Sequence, residues 1–330
     1  MAGLSVQLQT VNGHYVCAEG GGGREVVANR PAPREWETFV LTGLSGLPLR
    51  HGHSVALQSM SGHYVYADGG GGSGLVANGP AIGGWEPLKV HRLESPGEVK
   101  DGDRIALQTV SGLYVYADGG GGGGLVAKGP AIGGWEPFTV RVLPPRHVRI
   151  ELATVRCGNT EDVTGADELY LAAAGVNRAG GPPQSALVKP ISINDGQTKT
   201  IPPDQAVVFD GDVEVASTIV VGIVARDEDS SHDWNAHGEQ VRTIAGHVGA
   251  ALAVAGPKGV VAGAVLKGLV EGVGLIMKLD QDDRLGETAV EIPVVTLGFG
   301  EHTRTWRFWR SRQIGYSTWD YTLTYRIFVS

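Results

Sequence analysis

Short runs of alternating apolar and polar residues fill the first half of the chain. The segments VALQS (55–59) and YVYAD (64–68) alternate with a period of two, and LVAN and EPLKV follow them. This alternation is typical of β-strands that bury one face, whereas helices repeat about every 3.6 residues. Turns containing glycine separate the four runs. The stretch therefore predicts four short strands.

This four-strand pattern occurs three times. Trp36, Trp85 and Trp135 mark equivalent positions at a spacing of about fifty residues, which nearby leucines and tyrosines share. Twelve short strands with threefold symmetry predict a β-trefoil, a barrel closed by three hairpins, because a propeller of three blades would be too small to close. We expect the glycine run at 119–124 to form a hairpin tip, where positive φ costs little. Its rim, free of side chains, would also admit a flat polyhydroxy ligand.

The repeat resembles a known family. The segments LQTVSGLYVYAD and GLVAKGPAIGGWEPFTV are similar to the fascin-type β-trefoil repeat, and the resemblance covers residues 4–143. It implies a β-trefoil fold. In fascin such domains bundle actin, whereas the version with AIGGWE resembles accessory modules appended to glycan-active enzymes. Proteins that share a fold bind different ligands, so function must be inferred from the residues of the site.

A sugar site needs an aromatic face and fixed polar groups that satisfy the hydroxyls. Because Val65 and Ala67 are expected to face the core, Tyr66 and Asp68 should face away from it. We predict two stronger sites, in the second and third repeats, and one weaker site in the first, where Cys17 replaces the tyrosine. The three tryptophans are expected to be buried in the core. The candidate ligand-binding residues are Tyr66, Asp68, Asn78, Tyr116, Asp118, Lys128, Glu19 and Asn29.

The second half of the chain lacks the repeat. A proline-containing linker at 143–148 precedes segments such as VRIELATVRCG, DELYLAAAGV and TWDYTLTYRIFV, which alternate as strands do. We predict a mainly β protein with a trefoil over residues 1–145 and a β-sandwich over 146–330. The last strand is expected to place one set of residues on a single face, namely Tyr321, Leu323, Tyr325, Ile327 and Val329.

One segment of the second half has a helical pattern. Residues from about 238 to 278 are rich in alanine and glycine, and the apolar residues after the central proline recur with the helical period. We predict a helical hairpin inserted into the sandwich domain and docked on it. A hairpin that inserts into membranes is the alternative, although charges such as Lys267 and Glu271 interrupt the apolar runs. The residues with the helical period are Val261, Val265, Leu269, Val273 and Ile276.

Acidic segments follow three of the apolar strands. The segments DVTGADELYL, ARDED and LDQDDRLGE are similar to the acidic loops of the C-two-type calcium- and lipid-binding domain of the protein kinase C family. The resemblance implies calcium, which prefers several carboxylate oxygens from flexible loops. The alternative is that these acids are solvated turn residues. The candidate calcium ligands are Asp162, Asp167, Asp227, Asp229, Asp280, Asp282 and Asp283.

Composition narrows the classes of function. A net charge of −8 provides no basic footprint for nucleic acid, and two cysteines do not make a disulfide framework. No secretory signal is visible, so we expect a cytoplasmic protein or one exported by a non-classical route. No catalytic motif is present, so we predict a binding protein rather than an enzyme. A lectin-like glycan binder is favoured. The alternatives are a membrane-active, pore-forming lectin or toxin that meets a membrane surface, and a fascin-like actin-binding or scaffold protein.

Overall fold

The chain is mainly β and divides into two compact units. The computed structural model describes residues 3–160, 167–227, 237–255, 261–277, 284–310 and 318–330. The first unit comprises Met1–Pro145 with Glu214–Ala216, and the second comprises Arg146–Val213 with Ser217–Ser330. We call them the trefoil unit and the sandwich unit.

The trefoil unit contains four strands from each repeat. They are β1 (Gly3–Thr10), β2 (Tyr15–Ala18), β3 (Val26–Arg30), β4 (Phe39–Gly43), β5 (Ser54–Ser59), β6 (Tyr64–Ala67), β7 (Leu75–Gly79), β8 (Leu88–Arg92), β9 (Arg104–Gln108), β10 (Tyr114–Ala117), β11 (Leu125–Gly129) and β12 (Phe138–Leu143). The hairpin strands β6, β7 and β10 alternate buried and more exposed positions, as the sequence pattern predicts. In contrast, β2, β5 and β9 each bury three consecutive residues.

Six of these strands close into an antiparallel barrel. β1 pairs with β12 and β4, β5 pairs with β4 and β8, and β9 pairs with β8 and β12. The other six strands form three hairpins, β2–β3, β6–β7 and β10–β11. A six-stranded barrel with three hairpins is a β-trefoil, so the fold predicted from the repeats is confirmed. Equivalent residues such as Leu8, Leu57 and Leu107 fill one shared core.

The glycine runs connect the two strands of each hairpin and allow one repeat to approach the next. In the second repeat, residues 69–72 all have positive φ, which favours glycine. A Cβ on Gly71 would lie 2.1 Å from Ser111 Oγ, in the following repeat. Ser111 Oγ itself donates a hydrogen bond of 2.7 Å to Gly70 O. The glycines therefore serve backbone geometry and close packing between repeats.

The sandwich unit contains two antiparallel sheets. Their strands are β13 (Arg146–Asn159), β14 (Asp167–Asn177), β15 (Gln184–Ile193), β16 (Thr198–Thr200), β17 (Val207–Val213), β18 (Thr218–Asp227), β19 (Arg284–Pro293), β20 (Gly300–Arg310) and β21 (Trp319–Val329). One sheet has the order β16-β13-β21-β20 with β17 paired to β13, and the other has the order β15-β14-β18-β19. Side chains from both sheets form one core, so the predicted sandwich class is observed.

The last strand, β21, buries the face that its alternating sequence predicts. Its burial alternates along the whole strand, and the five residues predicted to share a face are all buried. In contrast, β18 is buried at every position, because one face contacts the sandwich core and the other is covered by helices. The sequence of a strand that is covered on both faces is therefore a continuous run of apolar residues.

Two long helices cover the outer face of the four-stranded sheet. A short helix, α1 (Pro203–Ala206), precedes them in the chain, and the pair consists of α2 (His237–Ala255) and α3 (Val261–Met277). Val265, Leu269 and Val273 of α3 pack with Ile244 and Val248 of α2 on β14 and β18. The predicted helical hairpin is therefore present and docked. Within the described ranges, neither helix is long and apolar enough to cross a membrane.

Candidate functional site

Three tryptophans lie at the surface of the trefoil unit. Trp36, Trp85 and Trp135 are 42, 47 and 49 % exposed, respectively. The prediction that they are core residues is therefore wrong. Each stands in the irregular segment before the last strand of its repeat, where no strand alternation fixes the direction of a side chain. Exposed indole rings in equivalent places are candidate platforms for a ligand.

The residue after each tryptophan is a buried glutamate. Glu86 is 8 % exposed, and its Oε2 accepts hydrogen bonds from the backbone nitrogens of Gly83 (2.8 Å) and Trp85 (3.3 Å). Glu136 makes the equivalent two bonds in the third repeat. Buried backbone amides need acceptors, and an irregular segment lacks a neighbouring strand that would supply them. The carboxylate is therefore held inward and the adjacent indole outward.

Each exposed tryptophan of the second and third repeats lies beside a predicted site tyrosine. The ring centroids of Tyr66 and Trp85 are 6.1 Å apart at 38°, and those of Tyr116 and Trp135 are 6.2 Å apart at 43°. The Trp85 ring also approaches the glycine turn, because a Cβ on Gly70 would lie 3.3 Å from its Cδ1. A tilted aromatic pair over a bare backbone forms an open apolar surface.

The predicted polar residues lie on the same outward side of the hairpin. Asp68 is exposed where β6 enters the glycine turn. Tyr66 pairs with Val76 in β7, and Asn78 is exposed two residues further along that strand. In the third repeat, the equivalent Asp118 and Lys128 are likewise exposed. The polar residues predicted from the sequence thus lie on the same hairpin as the tyrosine of each aromatic pair. The sequence prediction had identified only the tyrosine of that pair.

In the second and third repeats, a carboxylate oxygen of the buried glutamate lies beside the glycine that ends the hairpin. A Cβ on Gly79 would lie 3.0 Å from Glu86 Oε1, and a Cβ on Gly129 would lie 2.8 Å from Glu136 Oε1. Among the described residues, the hydrogen bonds to Glu86 reach only Oε2. Glu86 Oε1 is accessible to solvent. Each of these two repeats therefore presents an acceptor oxygen beside a glycine.

The first repeat fills the same place with its own side chain. Arg30 stands where the other repeats have Gly79 and Gly129. Its guanidinium contacts Glu19 Oε1 at 2.5 Å, Asn29 Oδ1 at 2.6 Å and Glu37 Oε1 at 3.6 Å. The predicted site residues Glu19 and Asn29 are thus engaged within the chain. This arrangement distinguishes the first repeat from the other two.

Sequence reasoning missed the buried glutamates, the exposure of the tryptophans and the glycine–arginine exchange. Each repeat contains a Trp-Glu pair, and the exchange of Arg30 for glycine is visible once the repeats are aligned. A charged residue repeated inside an otherwise apolar motif is a usable signal, because a buried carboxylate needs defined partners. The sequence alone did not show which member of the pair faces outward.

Cys17 occupies the tyrosine position of the first repeat and is fully buried. Burial raises the pKa of its thiol to about 12, with a further contribution from a hydrogen bond to Glu37. Thiolate is the reactive form, so the native thiol is protected both sterically and chemically. Cys157 in the sandwich unit is also buried.

We expect neither cysteine to react with a chromogenic disulfide reagent in the native protein. Both thiols should become reactive after denaturation, because unfolding exposes them and also returns the pKa of Cys17 to the ordinary range. The measurement is absorbance with and without denaturant at neutral pH. Rapid release of chromophore from the native protein would contradict the burial of these side chains.

Most of the predicted calcium ligands lie outside the described residues, namely Asp162, Asp229, Asp280, Asp282 and Asp283. Asp167 begins β14 and Asp227 ends β18. Leu169 pairs with Asp227, and Arg226 pairs with Arg284 at the start of β19, so three strand ends share one end of the sheet. Asp227 is buried, and its Oδ1 accepts a hydrogen bond of 3.0 Å from Glu168 N.

The calcium site stays a prediction. In the part of the chain that the structure describes, no group of three or more histidine, cysteine, aspartate or glutamate side chains is arranged to hold a metal ion. The thermal stability of the protein with excess calcium and with a chelator provides the test, because an ion that binds only the folded state raises the melting temperature.

Comparisons with known proteins provide a limited likeness. No protein-family model and no curated protein matches the chain. The SDF2-like protein of Arabidopsis thaliana aligns over 42% of this chain and 92% of its own, with 11% identity and a TM-score of 0.35. A structure titled BEL beta-trefoil aligns over 43% of this chain and 95% of its own, with 12% identity and a TM-score of 0.34. The trefoil assignment rests on the strand pairing described above rather than on either likeness.

Proposed function

We propose that the chain is a carbohydrate-binding, lectin-like protein whose second and third repeats each hold one saccharide residue. The observation that carries this proposal is the exposed aromatic pair of each repeat, Tyr66 with Trp85 and Tyr116 with Trp135. Aromatic rings bury the C–H face of a sugar, and nearby fixed polar groups bind its hydroxyls and determine specificity. The role is binding without catalysis.

The polar groups around each pair suit a ligand rich in hydroxyl groups. In the second repeat, Asp68 and Asn78 are exposed on the hairpin that includes Tyr66, and Glu86 Oε1 adds an acceptor beside Gly79. Carboxylates accept hydrogen bonds from hydroxyls without needing a counterion, and bonds to charged groups are the stronger ones. The calcium prediction is a separate proposal, because its candidate residues lie in the sandwich unit.

Two sites on one trefoil would act together on a branched or repeating glycan. Linked sites gain apparent affinity when the ligand can reach both at once. The first repeat is expected to contribute little, because Cys17 provides no ring and Arg30 occupies the polar groups.

A printed glycan array followed by titration calorimetry tests the proposal. Trp85→Ala and Trp135→Ala should each weaken binding of the best array ligand about tenfold at its site, because an aromatic contact is worth about 1 kcal/mol or more. The double variant should show no measurable heat. Trp36→Ala is the matched control, since Trp36 is similarly exposed but lacks the tyrosine partner.

The proposal fails under either of two results. A blank array would remove the saccharide as the ligand. Equal losses in Trp36→Ala and Trp85→Ala would show that the aromatic pair is not the platform. Circular dichroism and thermal melting of all variants separate lost binding from lost folding, and exposed tryptophans should be removable without unfolding.

A further inference from the structure

The first repeat shows which chemical group the polar cluster accepts. Glu19, Asn29 and Glu37 direct three oxygens at one guanidinium, that of Arg30. The chain thus places a cation of its own in the position that the second repeat leaves open. Because the repeats share one backbone plan, the equivalents of these three residues in the second repeat are Asp68, Asn78 and Glu86.

The second repeat keeps these acceptors and lacks the cation. Gly79 replaces the arginine, and no ion pair to Asp68 or Glu86 occurs within the described ranges. Glu86 is more than nine-tenths buried, yet its Oε1 has no donor there and faces the glycine. Within the described residues this oxygen has only solvent to bind, and a cationic donor would make a stronger, charge-assisted hydrogen bond to it.

We propose that the site of the second repeat selects a protonated amino sugar. The proposal rests on the lectin-like function above and specifies its ligand: an oligosaccharide that carries free amino groups. The ammonium group would take the place that Arg30 has in the first repeat, with Glu86 and Asp68 as its acceptors. The rings of Tyr66 and Trp85 would bury the sugar face, and their π-systems favour a nearby cation.

The third repeat provides an internal comparison. Its acceptors are Asp118 and Glu136, but Lys128 replaces the asparagine. Lys128 is exposed and forms no ion pair within 4.0 Å among the described residues. A lysine ammonium beside the site opposes a second cation and suits a neutral sugar instead. The two sites therefore differ in preference although their aromatic pairs are alike.

The probes are short glucosamine oligomers and their fully N-acetylated counterparts, which differ in charge and in the acetyl group. Titration calorimetry at low salt should show about tenfold tighter binding of the free-amine oligomer, because charged hydrogen bonds are the stronger ones. This preference should shrink at high salt, where charges are screened. It should also fall as pH rises and the amine loses its proton.

Substitutions at equivalent surface positions locate the effect. Asp68→Asn removes a charge while preserving the shape of the site, and it should weaken free-amine binding about threefold. Asp118→Asn is the matched control and should leave the amine preference unchanged. Lys128→Asn gives the third repeat the polar set of the second and should add a second amine site. Asp68 and Asp118 serve no structural hydrogen bond through their carboxylates in the described part of the molecule, so these variants should fold.

The results distinguish this inference from the function on which it rests. Equal binding of the two oligomers, or tighter binding of the acetylated one, overturns the amino-sugar preference and leaves the lectin function in place. Equal effects of Asp68→Asn and Asp118→Asn overturn the assignment to the second repeat. Failure of both oligomers together with a blank glycan array overturns the proposed function itself.

Discussion

Gly268→Ala should destabilise the sandwich unit by about 1–3 kcal/mol, because it overfills the contact between α2 and α3. A Cβ on Gly268 would lie 2.6 Å from Val248 Cα and 2.7 Å from His247 O. These are backbone atoms, so they cannot rotate away. The two helices must separate, and the apolar contacts of Leu269 with the sheet weaken as a result. The loss should outweigh the gain in helix propensity of about 1 kcal/mol.

Gly274→Ala in the same helix is the matched control. A Cβ there would meet no atom within 4 Å. The higher helix propensity of alanine is then the only effect, so we expect the free energy of unfolding to rise by about 0.5–1 kcal/mol. Urea unfolding followed by circular dichroism at a helix-sensitive wavelength measures both variants. Stabilisation by both would contradict the close approach of the helices, whereas opposite signs would support it.

Gly71→Ala should destabilise the trefoil unit by about 2–4 kcal/mol, because steric overlap and backbone strain act together. Its Cβ would lie 2.1 Å from Ser111 Oγ and 3.0 Å from Thr109 Oγ1, and the glycine has a φ of +153°. Rotation of the serine would relieve part of the overlap but would break its hydrogen bond to Gly70 O. The substitution therefore damages the contact between the second and third repeats.

Gly74→Ala is the control within the same glycine-rich segment. It has no positive φ, and the nearest atom to its Cβ would be Leu125 O at 3.7 Å. Its effect should stay within about 0.5 kcal/mol. Differential scanning calorimetry of the full chain measures both variants. A similar fall in melting temperature for the two would show that the run is needed only for its flexibility.

The trefoil fold was predictable from the sequence because the information is local and repeated. Alternation of apolar and polar residues predicts the strands. Three copies of one four-strand unit are compatible with few closed β architectures. The helical hairpin was predictable for a similar reason, since the positions of Val265, Leu269 and Val273 match one helical face. Alternation also identified the buried face of β21.

The site was only partly predictable. Tyr66 and Asp68 were predicted from strand alternation, because a β-strand fixes which face each side chain takes, and Asn78 was predicted from its place at the end of the next strand. Trp85 and Glu86 stand in an irregular segment, where no such rule applies. A tryptophan is the more apolar of the two, so burial of the indole was the natural expectation, and the structure reverses it.

Sequence by itself determined the repeat, its strands and the residue types available at each equivalent position. Tertiary structure alone decided that Glu86 faces inward, since its carboxylate is the acceptor for the amides of Gly83 and Trp85. It also decided that Arg30 occupies the polar cluster of the first repeat. Both outcomes depend on which partners a folded backbone brings within hydrogen-bonding distance, and residue order does not encode those distances directly.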